Sequence, residues 1–152
     1  MFATSGEASA FDGRLGYWIR PSFGLQLGLS RSSNSSWEGS APVFESEPPS
    51  FANRTTYVSV RGVIRTSPAR RFGVFAAAGP AIMWYGGTGT NLRTRDYDVG
   101  GVLEAGARLR VSHSVAAELA LSNYLYSSSY RDGESVFRHD FLILPGLVFS
   151  WR

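Results

Sequence analysis

The chain has 152 residues, a net charge of +3 and no cysteine, a size that suits one domain and a composition that excludes disulfides and thiolate metal sites. Aromatic residues make up 14% and charged residues only 18%, against about 25% charged in a typical water-soluble domain, so part of the surface is expected to face something other than water. All 15 basic residues are Arg, but they are interspersed with acids along the chain rather than clustered, which argues against a nucleic-acid partner.

A membrane helix needs about 20 continuous apolar residues. The best stretch, residues 72–85, is shorter and carries Gly73, Gly79 and Pro80, which weaken or break a helix. Residues 1–7 contain no basic segment followed by an apolar run, so they do not read as a secretory leader.

Period-two alternation is the dominant pattern, and it predicts half-buried strands. The first run, residues 10–19, sets Phe11, Leu15, Tyr17 and Ile19 against Asp12, Arg14 and Gly16. A Pro21 turn leads to the cleanest run, 23–30, where Phe23, Leu25, Leu27 and Leu29 alternate with Gly24, Gln26, Gly28 and Ser30. Residues 31–53 are rich in Ser, Asn, Glu and Pro and read as a long polar loop.

The third run, 55–66, opposes Val58, Val60 and Ile64 to Ser59, Arg61 and Arg65. The fourth, 71–85, sets Phe72, Val74, Ala76, Ala78, Ile82 and Trp84 against a mostly small face of Gly73, Ala77, Gly79 and Ala81. After a medium loop comes the fifth, 95–111, with Tyr97, Val99, Leu103, Ala105, Ala107, Leu109 and Val111 opposite Asp98, Glu104, Arg108 and Arg110. The turn 112–114 leads to the sixth, 115–126, with Val115, Ala117, Leu119, Leu121 and Leu125 opposite Glu118, Ser122 and Tyr124. The seventh, 136–151, sets Phe137, Phe141, Ile143, Leu147, Phe149 and Trp151 against Arg138, Asp140, Gly146 and Ser150.

The connections therefore run short, long, short, medium, short, medium, the asymmetry of transmembrane barrels with short periplasmic turns and longer extracellular loops. Alternation alone leaves open a soluble, lipocalin-like ligand-binding barrel with its apolar face inward. Two features favour apolar outward. The polar face is rich in Gly and Ala, as a crowded narrow interior requires, and several runs reach 12–17 residues, beyond the usual ~5–6 of globular strands. Inward charges must then pair, and the expected lumen network is Arg14, Arg61, Arg65, Glu104, Arg108, Arg110, Glu118, Arg138 and Asp140. Tyr17, Trp18, Phe23, Phe72, Trp84, Tyr85, Tyr97, Tyr124, Tyr126, Phe137, Phe149 and Trp151 lie near strand ends, where an interfacial aromatic girdle is expected.

The C-terminal segment with Gly146, Phe149 and Trp151, and the segments 73–79 and 100–108, resemble the outer-membrane β-barrel family whose small eight-stranded members are the OmpA/OmpX-like barrels. The resemblance covers nearly the whole chain and rests on pattern more than on invariant motifs. Arg152 after the terminal aromatic and Leu144 depart from the family's ending. The resemblance implies an antiparallel up-and-down transmembrane β-barrel and a C-terminal assembly signal at Gly146, Phe149 and Trp151. It further implies a bacterial outer-membrane location, membrane lipids and lipopolysaccharide as surroundings, and uptake by the barrel-assembly machinery during biogenesis.

Single-chain bacterial barrels have an even strand count, and seven runs are visible. The expectation is that residues 1–152 form a single, N-terminally truncated barrel domain, that residues 1–9 are the tail of an extracellular loop, and that a first strand and leader lie upstream. Residues 1–9 forming a poor closing strand is the alternative.

Catalytic signals are weak. His113 sits in a turn between Ser112 and Ser114, and adjacent turn residues do not build a nucleophile with its base. His139 should face outward, with Asp140 inward; with Ser127 or Ser129 it is the one site open to a lipid-modifying enzyme of the outer membrane. Glu104 and Glu118 read as members of an ion-pair plug beside Arg108 and Arg110. Residues 86–89 are Gly-rich without a following helix, hence no phosphate cradle. The expectation is a structural or interaction protein rather than an enzyme, with no metal and no cofactor. A barrel of about eight strands has a side-chain-filled lumen, which argues against a diffusion pore. Trp37, Phe44 and Phe51, with Glu38, Glu45 and Glu47 beside them, mark 31–53 as the contact surface for an unidentified extracellular partner.

Overall fold

Seven strands follow one another in a computed structural model of the chain, which describes residues 5–36, 51–66, 70–87, 96–129 and 135–150. They are β1 (Ser5–Arg20), β2 (Phe23–Ser36), β3 (Phe51–Arg65), β4 (Phe72–Gly87), β5 (Tyr97–Arg110), β6 (Val115–Ser129) and β7 (Ser135–Phe149). Each pairs antiparallel with its sequence neighbours, in the order β1-β2-β3-β4-β5-β6-β7. The all-β, up-and-down architecture read from the alternation is the one observed. The sheet curls into a partial barrel that brings β1 toward β7, but among the described residues no ladder joins these two strands.

The strands extend further than their apolar pattern does. β2 and β3 pair from Phe23↔Ile64 out to Ser36↔Phe51, so residues 31–36 and 51–53, expected within a loop, belong to the two strands. Ser and Asn have weak strand preference, and a neighbouring strand that supplies the ladder overrides it. Residues 5–9, expected as the tail of a loop, begin β1 instead, with Ser5↔Ser36, Ala8↔Asn34 and Ser9↔Ser33 as partners.

Period-two alternation fixes which side chains meet. The concave side collects Tyr57, Val63, Phe75, Met83, Val102, Tyr124, Tyr126, Leu142 and Leu144, together with the buried Ser30, Ser59, Arg61, Glu104 and Ser122. The convex side carries the opposite parity: Leu25, Leu27 and Leu29 on β2, Val99, Leu103 and Leu109 on β5, and Phe137, Phe141, Ile143, Leu147 and Phe149 on β7 are all exposed. The large apolar residues of most strands thus face outward, and the charged residues at mid-strand, Arg14, Arg61, Glu104, Arg108 and Glu118, face inward, the reverse of a water-soluble barrel.

Small residues make room inside. The Gly28 Cα lies under the Arg61 side chain, and a Cβ there would sit 2.7 Å from Arg61 Nη2 and 2.9 Å from Ser59 Oγ. Gly106 accommodates the Phe75 ring in the same way. Pro80 interrupts the β3–β4 ladder, whose pairs run to Ser59↔Ala81 and resume at Gly62↔Ala78, because proline supplies no N–H. The face expected to be mostly small on β4 also carries Phe75, Met83 and Tyr85.

Candidate functional site: a charged network across the lumen

The interior is ordered by height because each strand carries its inward residues in register with its neighbours. From the short-turn end upward, β3 contributes Arg65, Val63, Arg61, Ser59 and Tyr57, and β6 contributes Ala116, Glu118, Ala120, Ser122, Tyr124 and Tyr126. A charged middle and a tyrosine-rich upper layer result, above a turn end where Val63 and Ala116 lie beside Arg65.

The middle layer is a closed set of ion pairs. Arg14 on β1 donates through Nη1 to Glu104 Oε1 on β5 at 2.7 Å and to Glu118 Oε1 on β6 at 3.0 Å, and through Nε to Asp12. Arg61 on β3 donates Nη1 to Glu104, Nη2 to Tyr124 Oη at 2.8 Å and Nε to Ser59 Oγ at 2.7 Å. Arg108 donates twice to a single oxygen, Glu118 Oε2, at 2.9 Å through Nε and 2.5 Å through Nη2, while the other oxygen of Glu118 accepts from Arg14. Ser122 Oγ donates to Glu104 Oε2 at 2.5 Å, and Ser30 Oγ donates to Asp12.

Three arginines therefore face three carboxylates: Arg14, Arg61 and Arg108 against Asp12, Glu104 and Glu118. The set carries no net charge. Arg61 and Glu104 have no exposed side-chain surface at all, and burial of such ions is tolerable only when each is paired and its remaining donors and acceptors are satisfied. Arg61 meets that condition with Ser59, Glu104 and Tyr124 in place of water.

The upper layer is built on phenols. Tyr57 on β3 and Tyr126 on β6 both donate to Asp140 Oδ2 on β7, at 2.8 and 2.9 Å, and Tyr85 donates to Asp98 Oδ2 at 2.9 Å. The Tyr57 and Tyr124 rings stack with centroids 4.2 Å apart, and Ser30 links Tyr124 to the middle layer. Hydroxyls here let aromatic bulk fill the lumen without leaving a polar atom unpaired.

Of the nine residues expected in the lumen network, Arg14, Arg61, Glu104, Arg108 and Glu118 meet in one cluster, and Asp140 joins the phenols above it. Arg65 lies at the turn end, where its guanidinium stacks 3.4 Å from the Trp18 ring centroid and donates to the Pro21 carbonyl at 3.0 Å. Arg110 points to the same end and has no carboxylate partner among the described residues. Arg138 occupies an inward position two residues beyond Asp140 on β7. Sequence reasoning missed Tyr57, which shares the parity of Ser59 and Arg61, and left out Asp12, which shares that of Arg14. Both were accessible from alternation alone.

The expected girdle divides. Tyr17, Phe23, Phe72, Trp84, Tyr97, Phe137 and Phe149 are exposed on the convex face, whereas Tyr124 and Tyr126 are buried inside and Trp18 and Tyr85 pack on the interior cluster. Nearness to a strand end does not set the direction of a side chain; parity does. Gly146 and Phe149 lie on β7, opposite Glu118 and Val115. Trp37, Phe44 and Trp151 lie outside the described residues, and Phe51 opens β3 rather than sitting in a loop.

Neither histidine is assembled into a catalytic group among the described residues. His113 is exposed in its turn, where Ser112 Oγ accepts from the N–H groups of Ser114 and Val115 at 3.4 and 3.2 Å and so serves the backbone. His139 is exposed and meets Phe141 edge-on at 5.3 Å; Ser127 lies diagonally across on β6, on the same outer face, with no hydrogen bond between them. Among the described residues no cluster of His, Asp or Glu is arranged to hold a metal ion.

No protein-family model matches the chain, and searches of curated proteins and of solved structures give no significant match.

Proposed function

We propose that the chain is a small bacterial outer-membrane protein, an OmpA/OmpX-like β-barrel completed by an eighth strand, with a structural or interaction role at its long-loop end. The observation that carries this reading is the inverted distribution of polarity. Leu27, Leu103, Leu121 and Ile143 lie exposed on one face while Arg61 and Glu104 are buried on the other. A contiguous apolar exterior of this extent is untenable in water and suits the hydrocarbon of a bilayer, around which charged residues belong inside.

The eighth strand follows from the same solvent argument. Open N–H and C=O groups along β1 and β7 are each costly in lipid, and one further strand between these edges closes the barrel with an even count. The Arg14, Glu104 and Arg61 bridge crosses the lumen at mid-height, so the protein is read as a filled barrel and not as a diffusion pore. The loops joining β2 to β3, β4 to β5 and β6 to β7 share one end and are its surface for a partner, with membrane lipids and lipopolysaccharide around the wall.

Fractionation of cells expressing the full-length protein tests the reading. Recovery with the outer membrane, resistant to alkaline carbonate and released by detergent, is the expected result. Recovery in the soluble fraction without detergent overturns it.

A further inference from the structure

On the convex face the apolar rows of β2 and β3 end at one level. Outward positions on β2 run Phe23, Leu25, Leu27, Leu29 and then Arg31, while β3 runs Ile64, Gly62, Val60, Val58, Thr56 and then Arg54. Arg31 lies opposite Thr56 on β3 and Phe11 on β1, and Arg54 lies opposite Ser33. The two arginines are thus diagonal neighbours across one ladder, within reach of a shared ligand.

A groove opens at this point, lined by Ala10, Phe11, Arg31, Ser33 and Arg54. Both arginines are exposed, and among the described residues neither has a carboxylate partner, in contrast to Arg14, Arg61 and Arg108 inside. Phe11, the direct partner of Arg31 across the β1–β2 ladder, is 71% exposed and forms the apolar side of the groove. Two guanidinium forks beside Phe11 and above the outward Leu29 and Val58 match a ligand with a phosphate head and a hydrocarbon body, because guanidinium N–H pairs bind phosphate oxygens bidentately.

Resting on the membrane reading above, we propose that Arg31 and Arg54 clamp the phosphate of an anionic amphiphile at the rim of the barrel, with Phe11 against its acyl chain. The apolar rows leading up to the groove make the occupant a lipid of the surrounding leaflet rather than a free anion. Phosphorylated glycolipid and anionic phospholipid share the required chemistry.

The test uses the full-length protein reconstituted into phosphatidylcholine vesicles doped with a diphosphorylated glycolipid, its dephosphorylated form or phosphatidylglycerol. Insertion is scored first by flotation of the vesicles, and lipid retained after mild detergent extraction is then counted by native mass spectrometry. The expected result is selective retention of phosphorylated lipid, weakened roughly tenfold or more in R31Q/R54Q by loss of two cationic contacts and unchanged in R20Q, at the opposite end. Comparing the glycolipid and phosphatidylglycerol arms identifies which source is held.

Equal retention of the dephosphorylated lipid, equal retention by R31Q/R54Q, or displacement by inorganic pyrophosphate as effective as by lipid overturns the site. A protein that floats with vesicles yet shows one of those results leaves the membrane reading intact. A protein that does not float overturns that reading, and the site with it.

Discussion

Arg14 on β1 and Glu104 on β5 meet at 2.7 Å although they lie 90 residues apart and no hydrogen-bonded ladder connects their strands directly. The contact is a chord across the interior. Arg61 on β3 and Ser122 on β6 bind the other oxygen of the same carboxylate, so Glu104 ties four strands to one point. A flat sheet could not make these contacts. The network therefore specifies the curl of the sheet as well as filling its lumen, a role that buried polar groups take when alternative packings would leave them unpaired.

Replacing Glu104 by Ala leaves Arg14 and Arg61 facing each other with one carboxylate fewer. Breaking a buried pair by removing one partner costs about 3–5 kcal/mol, and E104A is expected to fall in that range. The double variant E104A/R61A is expected to lose less than the two single losses combined, because it removes both members of the pair. Urea unfolding of the detergent-folded protein, followed by tryptophan fluorescence, measures both. Strict additivity would show that the two residues do not act as a pair.

Gly28 offers a steric test of the same region. An alanine there is expected to press on the Arg61 guanidinium and Ser59 hydroxyl and to destabilise by about 1–3 kcal/mol, the usual cost of overpacking. G86A is the matched control, since a Cβ at Gly86 meets nothing within 4 Å and should change stability by no more than about 0.5 kcal/mol. Equal unfolding midpoints for G28A and G86A would rule out the tight packing of Arg61.

Tyr124 receives a hydrogen bond from Arg61 and shares another with Ser30. Y124F keeps the ring and its stacking on Tyr57 while leaving a buried guanidinium N–H without a partner, at an expected cost of about 1–3 kcal/mol. Y97F, altering a half-exposed residue of the outer face, should be close to neutral in the same unfolding assay. A Y124F protein as stable as the parent would show that the hydroxyl contributes nothing to holding Arg61.

Strand number, order and facing were all legible because a period-two pattern needs only local information: Leu25, Leu27 and Leu29 fall on one side of β2 whatever the rest of the chain does. The membership of the charged cluster was legible in part for the same reason. Its boundaries were not. Arg65 and Arg110 share the inward parity but sit one or two positions too near the turns, and depth within the lumen depends on strand stagger, which no single run reveals. Strand ends at Ser5, Ser36 and Phe51 were likewise hidden, because Ser and Asn pair in a ladder only when a neighbour is there to receive them. Tyr124 and Tyr126 were misjudged by position along the strand, a weaker guide than parity.

The outward rows supply the sharpest separation between a bilayer and water as the surroundings of the wall. Leu27 is exposed at the middle of β2, flanked by Leu15 on β1 and Val60 on β3. In lipid, L27R sets a guanidinium against hydrocarbon and is expected to cost about 2–4 kcal/mol near the midplane, whereas V111R, beyond the end of β5, should cost about 0–1 kcal/mol. In water both substitutions only replace exposed apolar surface by a solvated charge, and neither should matter. Unfolding from vesicles measures the two costs: a large penalty confined to L27R is the outcome expected of a lipid-facing wall, and two equally stable variants would place the convex face in solvent.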